Sequence, residues 1–139
     1  LQARVIHAPN GMEELVENLM LGAIFLDPGP VYFERKARKA VIIRQDRPDA
    51  QLGALETDIR CLVLTAAQGE PSPYVYYKAL DKGVTVLATP QDTAATVAAL
   101  EAALSGARFR QEKKLARMEE LLDRHLDFPA VNWALGLAG

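Results

Sequence analysis

Two arginines and two aspartates alternate within six residues, Arg44-Gln45-Asp46-Arg47-Pro48-Asp49, directly after an apolar run and before a segment of helical character. That placement suits anion chemistry. A guanidinium grips a phosphate or carboxylate through two parallel hydrogen bonds, and the amino end of a helix offers N–H groups that lack intrahelical partners. The same residues admit a structural reading, in which Asp46 and Asp49 occupy those N–H groups and the arginines serve as their counter-charges. The sequence leaves both open. Gln51 belongs to the same stretch, while Thr65, Asp92 and Thr93 follow two later apolar runs. With Arg44, Asp46 and Arg47 they form the candidate ligand-binding set, although Asp92-Thr93 reads equally as a helix cap.

Other chemistry is sparse. No glycine-rich loop carries a lysine, and no GxGxxG follows a strand-like run. His7 and His125 lie far apart without a second ligand at metal spacing, so surface or capping roles are expected. Cys61 sits inside an apolar run and reads as an inert buried thiol. The Tyr74, Tyr76 and Tyr77 cluster reads as helix packing, and no serine occupies a nucleophile elbow. The expectation is a domain without catalytic residues, metal ligands or cofactor, with a nucleotide or another small anion as the conceivable ligand. A net charge of −2 predicts no pull toward nucleic acid. No run approaches the roughly 18 apolar residues of a membrane span, and the start lacks a secretory pattern, so a cytosolic location is expected. Numbering from Leu1 suggests a piece of a longer protein.

The elements that would position these residues follow from three apolar runs, 39–43, 61–65 and 84–88, each trailed by a turn and a helix-like segment. Unbroken apolar runs suit strands covered on both faces, and the intervening helices supply the crossovers that parallel pairing needs. At 139 residues, half of them apolar, the chain suits one core of α/β class, with a mostly parallel sheet and helices on both faces. Ligands in such sheets sit beyond the carboxyl ends of the strands. Residues 3–7 alternate as a further strand, and an ambiguous stretch near 19–23 is taken as another. Asp27-Pro28 reads as a helix start, and Asp46 as the cap of a helix over about 47–55. Pro71 to Pro73 opens the next helix, which Gly83 stops, and Asp92-Thr93 begins an alanine-rich one that ends at Ser105-Gly106. Residues 111–126 form an amphipathic helix, with Leu115, Met118, Leu121 and Leu122 on one face, and Pro129 permits a short tail helix through Trp133. The chain thus divides into an α/β domain over 1–106 and a helical extension over 107–139 that packs on it or on a partner subunit.

The string from Ala40 through Asp46-Arg47-Pro48-Asp49-Ala50-Gln51-Leu52-Gly53 to Cys61-Leu62-Val63-Leu64-Thr65 resembles the DRTGG domain family. The likeness runs on through Pro71, Pro73, Val75, the Gly83-Val84-Thr85-Val86-Leu87 run and Asp92-Thr93, and upstream through residues 16–23. It implies an α/β fold similar to the amino-terminal domain of HPr kinase/phosphorylase. It also implies a regulatory, ligand-sensing and self-associating module, expected as a homodimer, rather than a catalyst. Copies of the family follow a BioD-like P-loop domain in phosphate acetyltransferases and related ATPase-like proteins, and others lie between CBS domains in pyrophosphatases. Linked P-loop or acetyltransferase domains are therefore the implied partners; a ligand-free dimerisation scaffold is the alternative. Relatives commonly carry Gly-Gly at the positions of Arg44-Gln45, Thr-Gly-Gly at Pro48-Asp49-Ala50, and glycine at Ala66.

Overall fold

Successive side chains of a strand point to opposite faces, so a run that is apolar at every position is stable only when both faces are covered. The computed structural model, which describes residues 2–11, 13–23, 29–107 and 111–137, meets that demand. In chain order the elements are β1 (Arg4–His7), β2 (Asn18–Leu21), α1 (Gly29–Phe33), β3 (Lys39–Arg44), α2 (Pro48–Leu55), β4 (Ile59–Thr65), α3 (Pro73–Asp81), β5 (Thr85–Ala88), α4 (Thr93–Ser105), α5 (Glu112–His125) and α6 (Phe128–Ala134). The strands form one sheet ordered β1-β5-β4-β3-β2. Strands β2 to β5 run parallel, and β1 closes the edge antiparallel to β5.

Each parallel crossover steps one strand in the same direction, and right-handed crossovers of that kind put their helices on a common face. Phe33 of α1, Ala50, Ala54 and Leu55 of α2, and Val75 and Ala79 of α3 accordingly share one core with Val41, Ile43, Leu62, Leu64 and Val86. The alternate residues, Ala40, Ile42, Cys61 and Val63, face the other way, where Val97 and Leu100 of α4 pack on them. Cys61 is buried there, and desolvation pushes its thiol up to about 12, which keeps it protonated and unreactive. Lys39 is also buried, at the start of β3; its Nζ donates to the Asp58 carbonyl at 2.8 Å, and desolvation lowers its pKa.

Local details refine the sequence reading. The second strand lies at Asn18–Leu21, two residues earlier at its end than expected, because its pairing with β3 runs from Asn18 beside Lys39 to Leu21 beside Ile42. The Asp27-Pro28 helix start falls outside the described residues. Gly83 adopts a φ of +64° directly after α3, where a side chain would be strained. The chain separates into two compact units, Leu1–Gly106 and Ala107–Gly139, the second holding α5 and α6. No helix among the described residues is long and apolar enough to cross a membrane.

Gly22 marks a close approach between neighbouring strands. Its N–H bonds the Ile42 carbonyl at 2.9 Å, and a Cβ there would sit 2.4 Å from Cγ1 and 2.8 Å from Cδ1 of Ile43. Ile43 is 1% exposed and held within the core. Gly22→Ala should therefore lower stability by about 1–3 kcal/mol, the usual cost of overpacking. In urea unfolding the midpoint should fall with the slope unchanged; an unmoved midpoint would refute the close approach.

Candidate ligand-binding cleft

The chain leaves β3 through a tight connection. Gln45 N–H donates to the Thr65 carbonyl at 2.9 Å, and Arg47 N–H returns to the Arg44 carbonyl at 3.2 Å. Proline disfavours helical backbone at the residue before it. Arg47 accordingly sits at φ −120°, ψ 62°, and α2 begins at Pro48 with Arg47 at its N-cap position. The expectation that Asp46 caps this helix is corrected, since the start after Arg47 leaves Asp46 one residue too early. Its carboxylate turns to Arg44 instead, accepting from Nε at 3.0 Å and Nη2 at 2.7 Å. Three residues after Arg44, Arg47 repeats the arrangement with Asp49, at 3.0 Å from Nε and 2.7 Å from Nη2. The arginines are thus the counter-charges of the aspartates.

The Arg44 guanidinium beside Asp46 and that of Arg47 beside Asp49 hold both carboxyls below the usual range, and Asp46 in turn raises Arg44. Buried Gln51 reaches back from α2 and donates through Nε2 to the carbonyls of Arg44 at 2.6 Å and Gln45 at 3.2 Å, fixing the connection beneath both pairs.

Thr93, at the start of α4, supplies the other wall, and the loops after β4 and β5 position it. Thr89 N–H extends the ladder to the Leu64 carbonyl at 2.9 Å, and the N–H groups of Ala66 and Ala67 reach the carbonyls of Gln91 at 2.7 Å and Thr89 at 2.9 Å. Ala66 is left-handed, with φ +49°. Asp92 caps α4 as expected, accepting from Ala95 N–H at 2.7 Å. Buried Thr65 at the end of β4 shares a 2.8 Å hydrogen bond with the hydroxyl of Thr93 in the first turn of α4.

Beyond the carboxyl ends of β2 and β3, between the connection into α2 and the start of α4, lies a crevice, and such strand ends are the usual ligand position in open α/β sheets. It measures about 630 Å3 and is lined by Gly22, Ala23, Ile42, Thr93 and the two arginine–aspartate pairs. Of the candidate residues, Arg44, Asp46, Arg47 and Thr93 face it; Gln51, Thr65 and Asp92 support the backbone and helix ends around it. Gly22, Ala23, Ile42 and Asp49 line it without having been candidates. Only Asp49 could have been added from its spacing to Arg47, since the others depend on which strand lies beside β3. The charged lining is balanced, two positive and two negative. Arg44 binds Asp46 through Nε and Nη2, so its Nη1 edge remains for another acceptor, while the apolar floor at Ile42, Gly22 and Ala23 suits a flat, uncharged moiety.

Two further expectations change. His7 is partly buried, with its ring edge-on to Tyr76 at 6.5 Å, rather than a surface residue. Tyr74 and Tyr77 are 80% and 66% exposed, so in the tyrosine cluster only Tyr76 turns inward; α3 buries Val75 and Ala79 instead.

Asp46 and Asp92 separate a surface ion pair from a helix cap. Asp46→Ala should leave the urea midpoint near that of the parent, because exposed pairs are screened by solvent. Asp92→Ala should cost about 0.5–2 kcal/mol and Asp92→Asn should recover most of it; the reverse ranking would overturn both assignments. The carboxyls of Asp46 and Asp49 sit below their ordinary value in the folded protein. Their contribution is therefore complete above about pH 4 and lost as pH falls further. The Asp46→Asn/Asp49→Asn protein should show a shallower acid-side loss in melting temperature below about pH 4, and less so in high salt.

Comparison with known proteins agrees with this architecture. The chain is similar in fold to the CBS and DRTGG domains of the regulatory region of a Clostridium perfringens pyrophosphatase, a structure solved with its activator, diadenosine tetraphosphate. The TM-score is 0.56 at 20% identity, over 66% of this chain and 38% of that one. The chain thus spans well under half the length of that solved regulatory region. A sequence model for the DRTGG domain matches residues 1–103, nearly all of the α/β unit, and the chain belongs to the DRTGG domain family.

Proposed function

We propose that this chain is a non-catalytic regulatory domain that binds a small anionic ligand, with a nucleotide favoured, and that self-associates within a larger cytoplasmic protein. The observation that carries this is the cleft at the strand ends, where two arginines meet the amino terminus of α2 above an apolar floor. The arginines suit phosphate or carboxylate oxygens, and the apolar floor suits a base. The regulatory region of the pyrophosphatase with a similar fold is complexed with a dinucleotide activator, which lends support to a nucleotide. The larger protein, on the resemblance to copies beside BioD-like and acetyltransferase domains, is an ATPase-like or phosphate acetyltransferase-related enzyme whose chemistry lies in its other domains.

A second reading is favoured by one specific observation. Both arginines already hold aspartates in two-point contact, an arrangement complete without a ligand. On that reading the domain is a ligand-free association scaffold. Titration calorimetry and thermal shift with a panel of nucleotides and inorganic phosphate separate the two, because a molecule that binds the native state alone raises the melting temperature by mass action. A binding domain should respond to at least one nucleotide, and Arg44→Ala or Arg47→Ala should weaken that binding on the order of ten- to a hundred-fold. No heat and no thermal shift across the panel would leave the scaffold.

A further inference from the structure

We propose that the cleft recognises a nucleotide whose phosphate is esterified on both sides, a phosphodiester or diphosphate diester, and that the arm beyond the phosphate is neutral and rich in hydroxyl groups. This rests on the nucleotide reading proposed above and adds the ligand class and the place of its second arm.

Strand order supplies the geometry. Because β3 lies between β2 and β4, Arg44 at its end has the residues after β2 on one flank and those after β4 on the other. The first flank is the cleft already described, with its floor at Gly22, Ala23 and Ile42. The second is a smaller hollow of about 340 Å3, lined by Arg44, Gln45, Asp46, Ala66 and Gln68. The Arg44–Asp46 pair lines both and forms the wall they share. Gln45 holds the loop around the smaller hollow in place, its Nε2 donating to the carbonyls of Gln68 at 3.1 Å and Glu70 at 2.9 Å. A ligand centred on Arg44 therefore has room on both sides.

Charge decides between a phosphate that ends at Arg44 and one that continues past it. A terminal phosphate carries about −1.5 to −2 at neutral pH, whereas an esterified one keeps a single charge. Arg44 gives Nε and Nη2 to Asp46, and its Nη1 edge suits one phosphoryl oxygen. Among the described residues the cations lining the two hollows are Arg44 and Arg47, and each faces an aspartate. A second negative charge on the phosphate would meet the Asp46 carboxylate, and like charges set side by side oppose binding. Esterification removes that charge, and the group it adds extends into the smaller hollow. Two glutamines and an alanine beside a balanced ion pair offer donors and acceptors there without net charge, which suits the hydroxyls of a sugar better than a second anion.

Titration calorimetry on the full chain without magnesium tests the proposal, with two matched pairs, ADP against ADP-ribose and UDP against UDP-glucose. Each second member differs from the first by a neutral, hydroxylated arm that esterifies the terminal phosphate. In at least one pair the diester should bind about ten-fold tighter or more. Asp46→Asn should narrow that gap by strengthening the free diphosphate, and Gln68→Trp, which fills the smaller hollow, should narrow it by weakening the diester; circular dichroism melts check that both variants fold. A free diphosphate that binds as well as its diester in both pairs would overturn the proposal and leave the nucleotide reading standing. No binding by any of the four would overturn both. A gap unmoved in folded Asp46→Asn would overturn the charge argument, and one unmoved in folded Gln68→Trp would overturn the placement of the second arm.

Discussion

Burial of β3 and β4 on both faces is the constraint from which the α/β unit is built. Their residues alternate between a larger layer under α1, α2 and α3 and a smaller layer under α4, with Val41, Ile43, Leu62 and Leu64 on one side and Ala40, Ile42, Cys61 and Val63 on the other. Three same-handed crossovers can cover only one face. The chain must therefore change sides after β5, and α4, opening on its cap residue Asp92, makes that change. The cleft lies beside that change: the start of α4 faces the connection into α2 across the ends of β2 and β3. A candidate position for a ligand thus lies where the chain completes its core.

The four charges at that position are arranged to be stable without company. Each arginine meets the carboxylate two residues ahead in a two-point contact, and Gln51 beneath holds the backbone that presents them. An incoming anion meets no net positive field; it must share a guanidinium edge or displace an aspartate. Recognition in such a site depends on shape and on hydrogen-bond direction more than on bulk attraction. This sets it apart from phosphate sites made of glycine-rich backbone.

Sequence reasoning reached the fold because its signals were local. The runs around Val41, Leu62 and Val86 could be strands only in a doubly covered sheet, and Asp92-Thr93 announced α4 by cap chemistry that the structure retains. The start of α2 was misplaced for an equally local reason, since Pro48 forces Arg47 out of helical backbone and strands Asp46 outside the first turn. The resemblance sets a glycine at Ala66, and the backbone there is left-handed and tied to Gln91. What no local signal carried was the floor. Gly22 and Ala23 reach the cleft because β2 pairs beside β3, and strand order is a property of the whole sheet.

The hydroxyl pair of Thr65 and Thr93 gives this cleft an adaptable edge. Either oxygen can donate across the 2.8 Å contact. When buried Thr65 donates, the Thr93 proton is left to point toward a ligand; when Thr93 donates inward, a lone pair faces the ligand instead. The two states differ by rotation of two hydrogens, with every heavy atom in place. At that one point the rigid wall is amphoteric, able to meet an amide N–H or a phosphoryl oxygen by reversing a proton's direction.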